Sequence, residues 1–197
     1  MIQQSLLAKI AAQYDFDHAN KIIARPQCKP FSRSWMAVEF SLPLSQILDV
    51  TGIQYACPYQ QDDQYYKHNA KTNQVKQSER RSASKADLKL ATAGKQYWFE
   101  FHVLHQDDLA VGKELNRLYD DANRVRALRD ALPKDDILLF IGLWGRFNSQ
   151  DIQQFQPLDN HKECAYVLDS GLTGSGQISR LCQMKKSGEE RFLLAAF

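Results

Sequence analysis

Between Ser84 and His105 the chain reads SKADLKLATAGKQYWFEFHVLH, which sets one carboxylate, Asp87 and then Glu100, inside each of two strand-like runs. Side chains alternate across a strand, so residues i and i+2 share a face. Asp87 therefore shares its face with Lys85 and Lys89, and Glu100 shares its face with Trp98 and His102. The other face carries Ala86, Leu88 and Leu90 on the first run and Tyr97, Phe99 and Phe101 on the second, which makes it the natural core side. An even-numbered turn centred on Ala93–Gly94 sets Asp87 directly opposite Glu100 and Lys85 opposite His102. Opposed side chains have Cβ atoms only ~5 Å apart, and like charges there destabilise the pair. The arrangement asks for a compensating cation. A hard divalent ion held by carboxylate oxygens, water and phosphate supplies one; Lys85 and Lys89, on an exposed face, supply another. His102 adds an imidazole that can accept a proton near pH 7.

Several elements must position these residues. Ile2, Leu6, Leu7 and Ile10 form one face of an N-terminal amphipathic helix. In residues 34–50, Trp35, Val38, Leu42 and Leu44 fit a short helix that Pro43 interrupts. Residues 54–80 are polar, contain Pro58 and read as an irregular or hairpin-like surface segment. Strands follow over about 83–90 and 96–104. The spacing of Val111, Leu115, Leu118, Ala122, Val125 and Leu132 predicts a helix over 106–132, with Asp107 or Asp108 as its cap and Pro133 just beyond it. The arginines at 117, 124, 126 and 129, with Asp120 and Asp121, place a charged, ion-paired face on its outside. The apolar run 135–145 reads as a strand buried on both faces, and 148–156 as a short helix. Strands are expected over 163–169, 177–185 and 191–197, the last two joined as a hairpin through KSGEE. The fold class that follows is α/β or α+β, a mixed sheet flanked by helices.

Composition narrows the function. Of 197 residues, 44% are apolar and 24% charged, which excludes global disorder. No apolar run approaches the ~20 residues that span a bilayer, and the N-terminus lacks the pattern of a cleaved leader, so a soluble cytoplasmic protein with no membrane partner is expected. The cysteines at 28, 57, 164 and 182 form no CxxC pair and are expected as reduced thiols. His161 and Cys164 have the spacing of half a zinc site, without a second half of that kind. His102 and His105 make an HxxH; with the strand ending near Leu104, His105 faces away. DSGLTGSG (169–176) lacks the Lys-Ser/Thr of a phosphate loop and reads as a flexible connection. The formal net charge is only +2, yet residues 67–95 carry eight Lys or Arg against two acids. Lys76, Arg80, Arg81 and Lys85 are the candidates there for phosphate contacts, and the alternative is a solvated basic loop.

An Asp in one strand, a turn, an apolar-flanked Glu on the next, then a long helix and a buried strand resemble the PD-(D/E)xK nuclease superfamily over roughly residues 34–145. The matching residues are Ala86-Asp87 and Glu100-Phe101-His102. The resemblance implies a restriction-endonuclease-like αβββαβ core, here with extra C-terminal strands, and hydrolysis of DNA or RNA phosphodiesters. It implies Mg²⁺, or Mn²⁺, bound by Asp87 and Glu100, with Glu39 of the first helix assisting. His102 stands where the family usually has Lys, and Ala86 where it often has Pro. Lys89 or Lys85 is then the candidate for the missing positive charge. The alternative is a nuclease-like fold whose chemistry has gone, which binds nucleic acid or a protein partner, including a second copy of itself.

Overall fold

The computed structural model describes residues 2–159, 163–186 and 188–197. Its elements are α1 (Ile2–Ala11), α2 (Phe16–Ile23), α3 (Ser32–Leu48), β1 (Gly52–Pro58), β2 (Gln60–Gln61), β3 (Gln64–Asn69), β4 (Gln74–Ser78), β5 (Lys85–Ala91), β6 (Gln96–His105), α4 (Lys113–Ala131), β7 (Asp136–Gly145), α5 (Ser149–Gln153), β8 (Tyr166–Leu168), β9 (Ile178–Arg180) and β10 (Arg191–Ala196). Seven strands form a mixed sheet in the order β1-β5-β6-β7-β10-β8-β9, and β2-β3-β4 form a second, smaller sheet. β6 and β7 are parallel. Their connection therefore has to cross over, and α4 is that crossover. With β2–β4 set aside, α3-β1-β5-β6-α4-β7 is an αβββαβ order, and β8–β10 are the extra C-terminal strands.

The sheet is covered on both faces. On one, Leu7, Ile10, Phe40 and Leu44 of α1 and α3 pack against Leu88, Leu90, Phe99, Phe101 and Phe140. On the other, Leu118, Ala122, Val125 and Leu128 of α4 pack against Trp98, Ile137, Leu139 and Ile141. The apolar positions of α4 recur every three or four residues, so one stripe faces the sheet. β7 is apolar at nearly every position because both of its faces meet helices. The face of β6 that carries Trp98, Glu100 and His102 is thus roofed by α4. The odd-numbered face is a core side, as expected, but it is one of two.

Three element expectations change. α3 runs through Pro43 for 17 residues, because Met36, Ala37, Phe40 and Leu44 keep helical spacing on both sides of the proline and are all buried. Val38 and Leu42, read as its apolar face, are instead 62% and 63% exposed. The long helix starts later than its spacing suggests: Gln106–Leu109 is a 3₁₀ turn, and Gly112, with φ 72°, precedes α4 with no side-chain cap. Neither Asp107 nor Asp108 caps it; Asp108 accepts a hydrogen bond from Lys29 at 2.7 Å. Finally, β9 and β10 are not a hairpin. β10 lies between β7 and β8, antiparallel to both, because a strand buried along nearly its whole length needs a neighbour on each side. Ser187 of KSGEE and His161 of the half zinc site lie outside the described residues. The short helix after Asn148 forms as α5, closed by an Asn148–Asp151 capping box. No described helix is long and apolar enough to cross a membrane.

Candidate functional site

The β5–β6 ladder pairs Leu88 with Phe99, Lys89 with Trp98, Leu90 with Tyr97 and Ala91 with Gln96. This is the register of an even turn centred on Ala93–Gly94. Past Leu88 the ladder stops, and the Asp87 side chain takes over: its Oδ2 accepts the Phe101 N–H at 2.8 Å. The other neighbour is interrupted at the same level. Tyr55 pairs with Leu88 and Cys57 with Ala86, while Ala56 between them has φ 48° and no partner in the ladder. Asp87 sits where β5 passes from one core to the other, since Leu88 belongs to the α3 side and Ala86 to the α4 side.

Asp87 and Glu100 meet through cations that the protein itself supplies. Arg33, in the first turn of α3, donates from Nε to Asp87 Oδ1 and Oδ2 at 3.1 and 3.0 Å. Its Nη2 lies 2.9 Å from Asp87 Oδ2 and 3.5 Å from Glu100 Oε2. Glu100 is completely buried. The Tyr59 hydroxyl donates to its Oε1 at 2.8 Å, and Arg124 of α4 donates from Nη2 to its Oε2. A third carboxylate, Asp121, joins from α4: it lies 2.9 Å from Arg124 Nη2, 3.8 Å from Arg33 Nη1 and 2.9 Å from His102 Nδ1. Three carboxylates are therefore threaded by two guanidiniums, with His102 at the edge. Burial disfavours charge on Arg33, yet the hydrogen bond and charge of Asp87 outweigh it and hold the guanidinium above its ordinary pKa. Burial, aided by the charge of Arg33, pushes Arg124 down; an arginine starts so far above neutrality that it still carries its charge at pH 7. Burial keeps the Tyr59 hydroxyl protonated far above the usual phenol range, so it acts toward Glu100 as a neutral donor.

Mg²⁺ needs carboxylate oxygens with lone pairs to spare. All four oxygens of Asp87 and Glu100 accept a hydrogen bond, three of them from a guanidinium, so a divalent ion placed between them meets the like charge of Arg33 and Arg124 at contact distance. Among the described residues no group of three or more His, Cys, Asp and Glu side chains is arranged to hold a metal ion. The residues as they stand do not fit Mg²⁺ or Mn²⁺. Arg33 and Arg124 fill the electrostatic role that the opposed acids demand.

The other expected site residues lie elsewhere. Glu39 accepts a hydrogen bond from Tyr14 at 2.9 Å and lies 3.6 Å from His18. Lys89 places its ammonium 4.5 Å from the centre of the Trp98 ring. Lys85 is exposed and pairs with Pro58 across β1. Among the described residues, none of these three makes a hydrogen bond or ion pair with the cluster. His102 is nearly buried and joins Arg33, His105, Arg117, Asp120 and Asp121 around a cavity of about 670 Å³. β6 runs through His105, one residue past Leu104, and both histidines line that cavity. Burial, then the charge of Lys29, pushes the His105 imidazole below its usual value.

Sequence reading misses Arg33, Tyr59, Asp121 and Arg124 as members of the site. Asp121 and Arg124 do form an i,i+3 ion pair, but it faces the sheet. Their adjacency to Ala122 and Val125, on the buried stripe of α4, is the signal that could have located them.

The basic segment forms a second feature. In the β3–β4 hairpin Lys67 stands directly opposite Lys76, and both are exposed with Lys71 near the tip. Arg80 and Arg81 follow on an exposed 3₁₀ turn, where Arg81 pairs with Glu79 at 2.8 Å. Among the described residues, Lys67, Lys71, Lys76, Arg80 and Lys85 form no ion pair. Compared with models of known families, with curated proteins and with solved structures, the chain matches none.

Proposed function

We propose that this chain is a nuclease-like module of the restriction-endonuclease type that binds nucleic acid without cutting it. The observation that carries this reading is the pair of guanidiniums, Arg33 and Arg124, engaged with Asp87 and Glu100 where a catalytic metal has to bind. A site neutralised from within keeps two carboxylates on neighbouring strands while guanidiniums, which cannot activate water as Mg²⁺ does, take the place of the cation. Binding is assigned to the basic hairpin. Opposed lysines repel one another, and the Lys67–Lys76 pair, with Lys71, Arg80, Arg81 and Lys85 nearby, is relieved by phosphates placed along it.

The test combines fluorescence anisotropy on labelled DNA and RNA with a cleavage assay in Mg²⁺ and Mn²⁺. The expected result is affinity whose logarithm falls linearly with log salt, at least tenfold weaker binding for the Lys67→Glu/Lys76→Glu chain, and no cleavage with either ion. Divalent-dependent cleavage that disappears in both Asp87→Ala and Glu100→Ala reverses the reading and makes the chain a metal-dependent nuclease. Binding that is indifferent to salt and to the lysine reversals removes the nucleic acid from the proposal.

A further inference from the structure

At the far edge of the large sheet, away from the carboxylates, two thiols converge on one acid. β8 and β9 pair Tyr166 with Arg180, Val167 with Ser179 and Leu168 with Ile178. One step further, the Leu181 N–H donates to the Ala165 carbonyl at 2.8 Å. There the ladder ends and Leu181–Gln183 turns as a 3₁₀ helix, so Cys182 follows the residue bonded to Ala165 and Cys164 precedes Ala165 in the chain. Cys164 also forms an isolated antiparallel bridge with Asp159, which brings that acid beside it. The side chains agree with the backbone: Cys182 Sγ donates to Asp159 Oδ2 at 2.8 Å, and the Cys164 thiol also hydrogen-bonds to Asp159.

We propose that Cys164 and Cys182 are a dithiol that closes to a disulfide when a small-molecule disulfide such as oxidised glutathione is present, with Asp159 as the group that restrains the closure. Cys182, the more exposed of the two, attacks a sulfur of the oxidant as its thiolate; the oxidant's S–S bond breaks and one glutathione thiolate leaves. The Cys164 thiolate then attacks the Cys182 sulfur of the mixed disulfide, forming the protein S–S bond and releasing the second glutathione. The two protein thiols lose two electrons and two protons, and the oxidant gains them as two thiols. Only the thiolate is nucleophilic. Burial, then the hydrogen bond and negative charge of Asp159, push the Cys182 thiol up to about 11, and the same influences raise Cys164. The titratable and charged groups around the pair are Asp159, which holds the protons on, and two that oppose it: Arg180, 3.6 Å from Asp159, and Tyr166, hydrogen-bonded to the Cys164 thiol. Closure is consequently slow near neutrality and fast in alkali.

The experiment incubates the full chain with oxidised glutathione at pH 7.5 and pH 9.5, quenches with an alkylating agent and maps tryptic peptides without reduction. Cleavage after Lys162, Arg180 and Lys185 places the cysteines on separate peptides, 163–180 and 181–185. The expected result is a 163–180/181–185 linked peptide that forms at least tenfold faster at pH 9.5, is absent in Cys182→Ser, and forms several-fold faster at pH 7.5 in Asp159→Asn. Glutathione adducts on the cysteines without that linked peptide at pH 9.5 overturn the proposal. So does an Asp159→Asn chain, folded by circular dichroism, that closes no faster than the parent. Links to Cys28 or Cys57 in equal yield mean that unfolding, rather than this arrangement, brings the thiols together, and they overturn it too.

Discussion

Glu100 shows what a single residue contributes here, because its carboxylate is fully buried yet has charged company. Replacing it with Gln leaves Arg124 facing an amide. Removing one partner of a buried ion pair costs about 3–5 kcal/mol when the other is stranded. Arg124 is a quarter exposed and keeps Asp121 at 2.9 Å, so Glu100→Gln is expected to lose about 3 kcal/mol in urea unfolding, at the low end of that range. Arg33→Ala is expected to lose less than about 1 kcal/mol, since its side chain is 43% exposed and water can take its place at Asp87. The opposite ranking contradicts the view that Glu100–Arg124 is the inner pair and Arg33 the outer one. The sequence carries part of this arrangement. The meeting of Asp87 and Glu100 follows from a local turn and a period of two. Their arginines do not follow from anything local, because Arg33 and Tyr59 reach the acids from α3 and from just beyond β1, across sequence separations that no periodicity spans.

At the scale of elements, legibility depends on whether an element's partners are named by its own pattern. The buried stripe of α4 and the doubly apolar run of β7 declare their burial outright. α3 is harder to read, because its exposed side carries Val38 and Leu42 and its Pro43 suggests a break that packing overrides. What fixes α3 against the sheet is close approach at Gly142 of β7. A Cβ built there comes within 2.6 Å of Met36 Sδ and 2.8 Å of Phe192 Cε2. Met36 is flexible, but the Phe192 ring is packed against Phe16, Trp35 and Phe40, so the strain cannot be relieved by one side chain alone. Gly142→Ala is expected to destabilise by about 2 kcal/mol, the cost of overpacking a filled core, measured as a lower urea midpoint with an unchanged m-value. An unaltered midpoint means that α3 can shift away from β7 without loss. Because α3 carries Arg33, the same substitution tests whether helix packing holds the guanidinium on Asp87.

The whole molecule is tied together by a strand that comes last in the chain and near the middle of the sheet. β10 separates β7 from β8, so β8 and β9 reach the rest of the sheet only through it. This insertion is what KSGEE conceals: a turn-like sequence says that the chain reverses, not which strand it returns to. Phe192 joins the aromatic group under α2 and α3, and Phe197 exchanges both backbone hydrogen bonds with Leu139 while Arg126 and Arg129 lie 4.7 and 4.9 Å from its ring centre. A chain ending at Glu190 loses two buried phenylalanines, each worth about 3–5 kcal/mol, along with Leu193 and Leu194. Their sum reaches the whole stability of an ordinary domain, about 5–15 kcal/mol, before the lost strand pairing on either side is counted. The shortened chain is therefore expected to keep far-UV circular dichroism from its helices, lose its near-UV signal and show no cooperative urea transition. A cooperative transition retained at an unchanged midpoint means that β7 tolerates an open edge, and that the αβββαβ part holds its carboxylate cluster without the C-terminal strands.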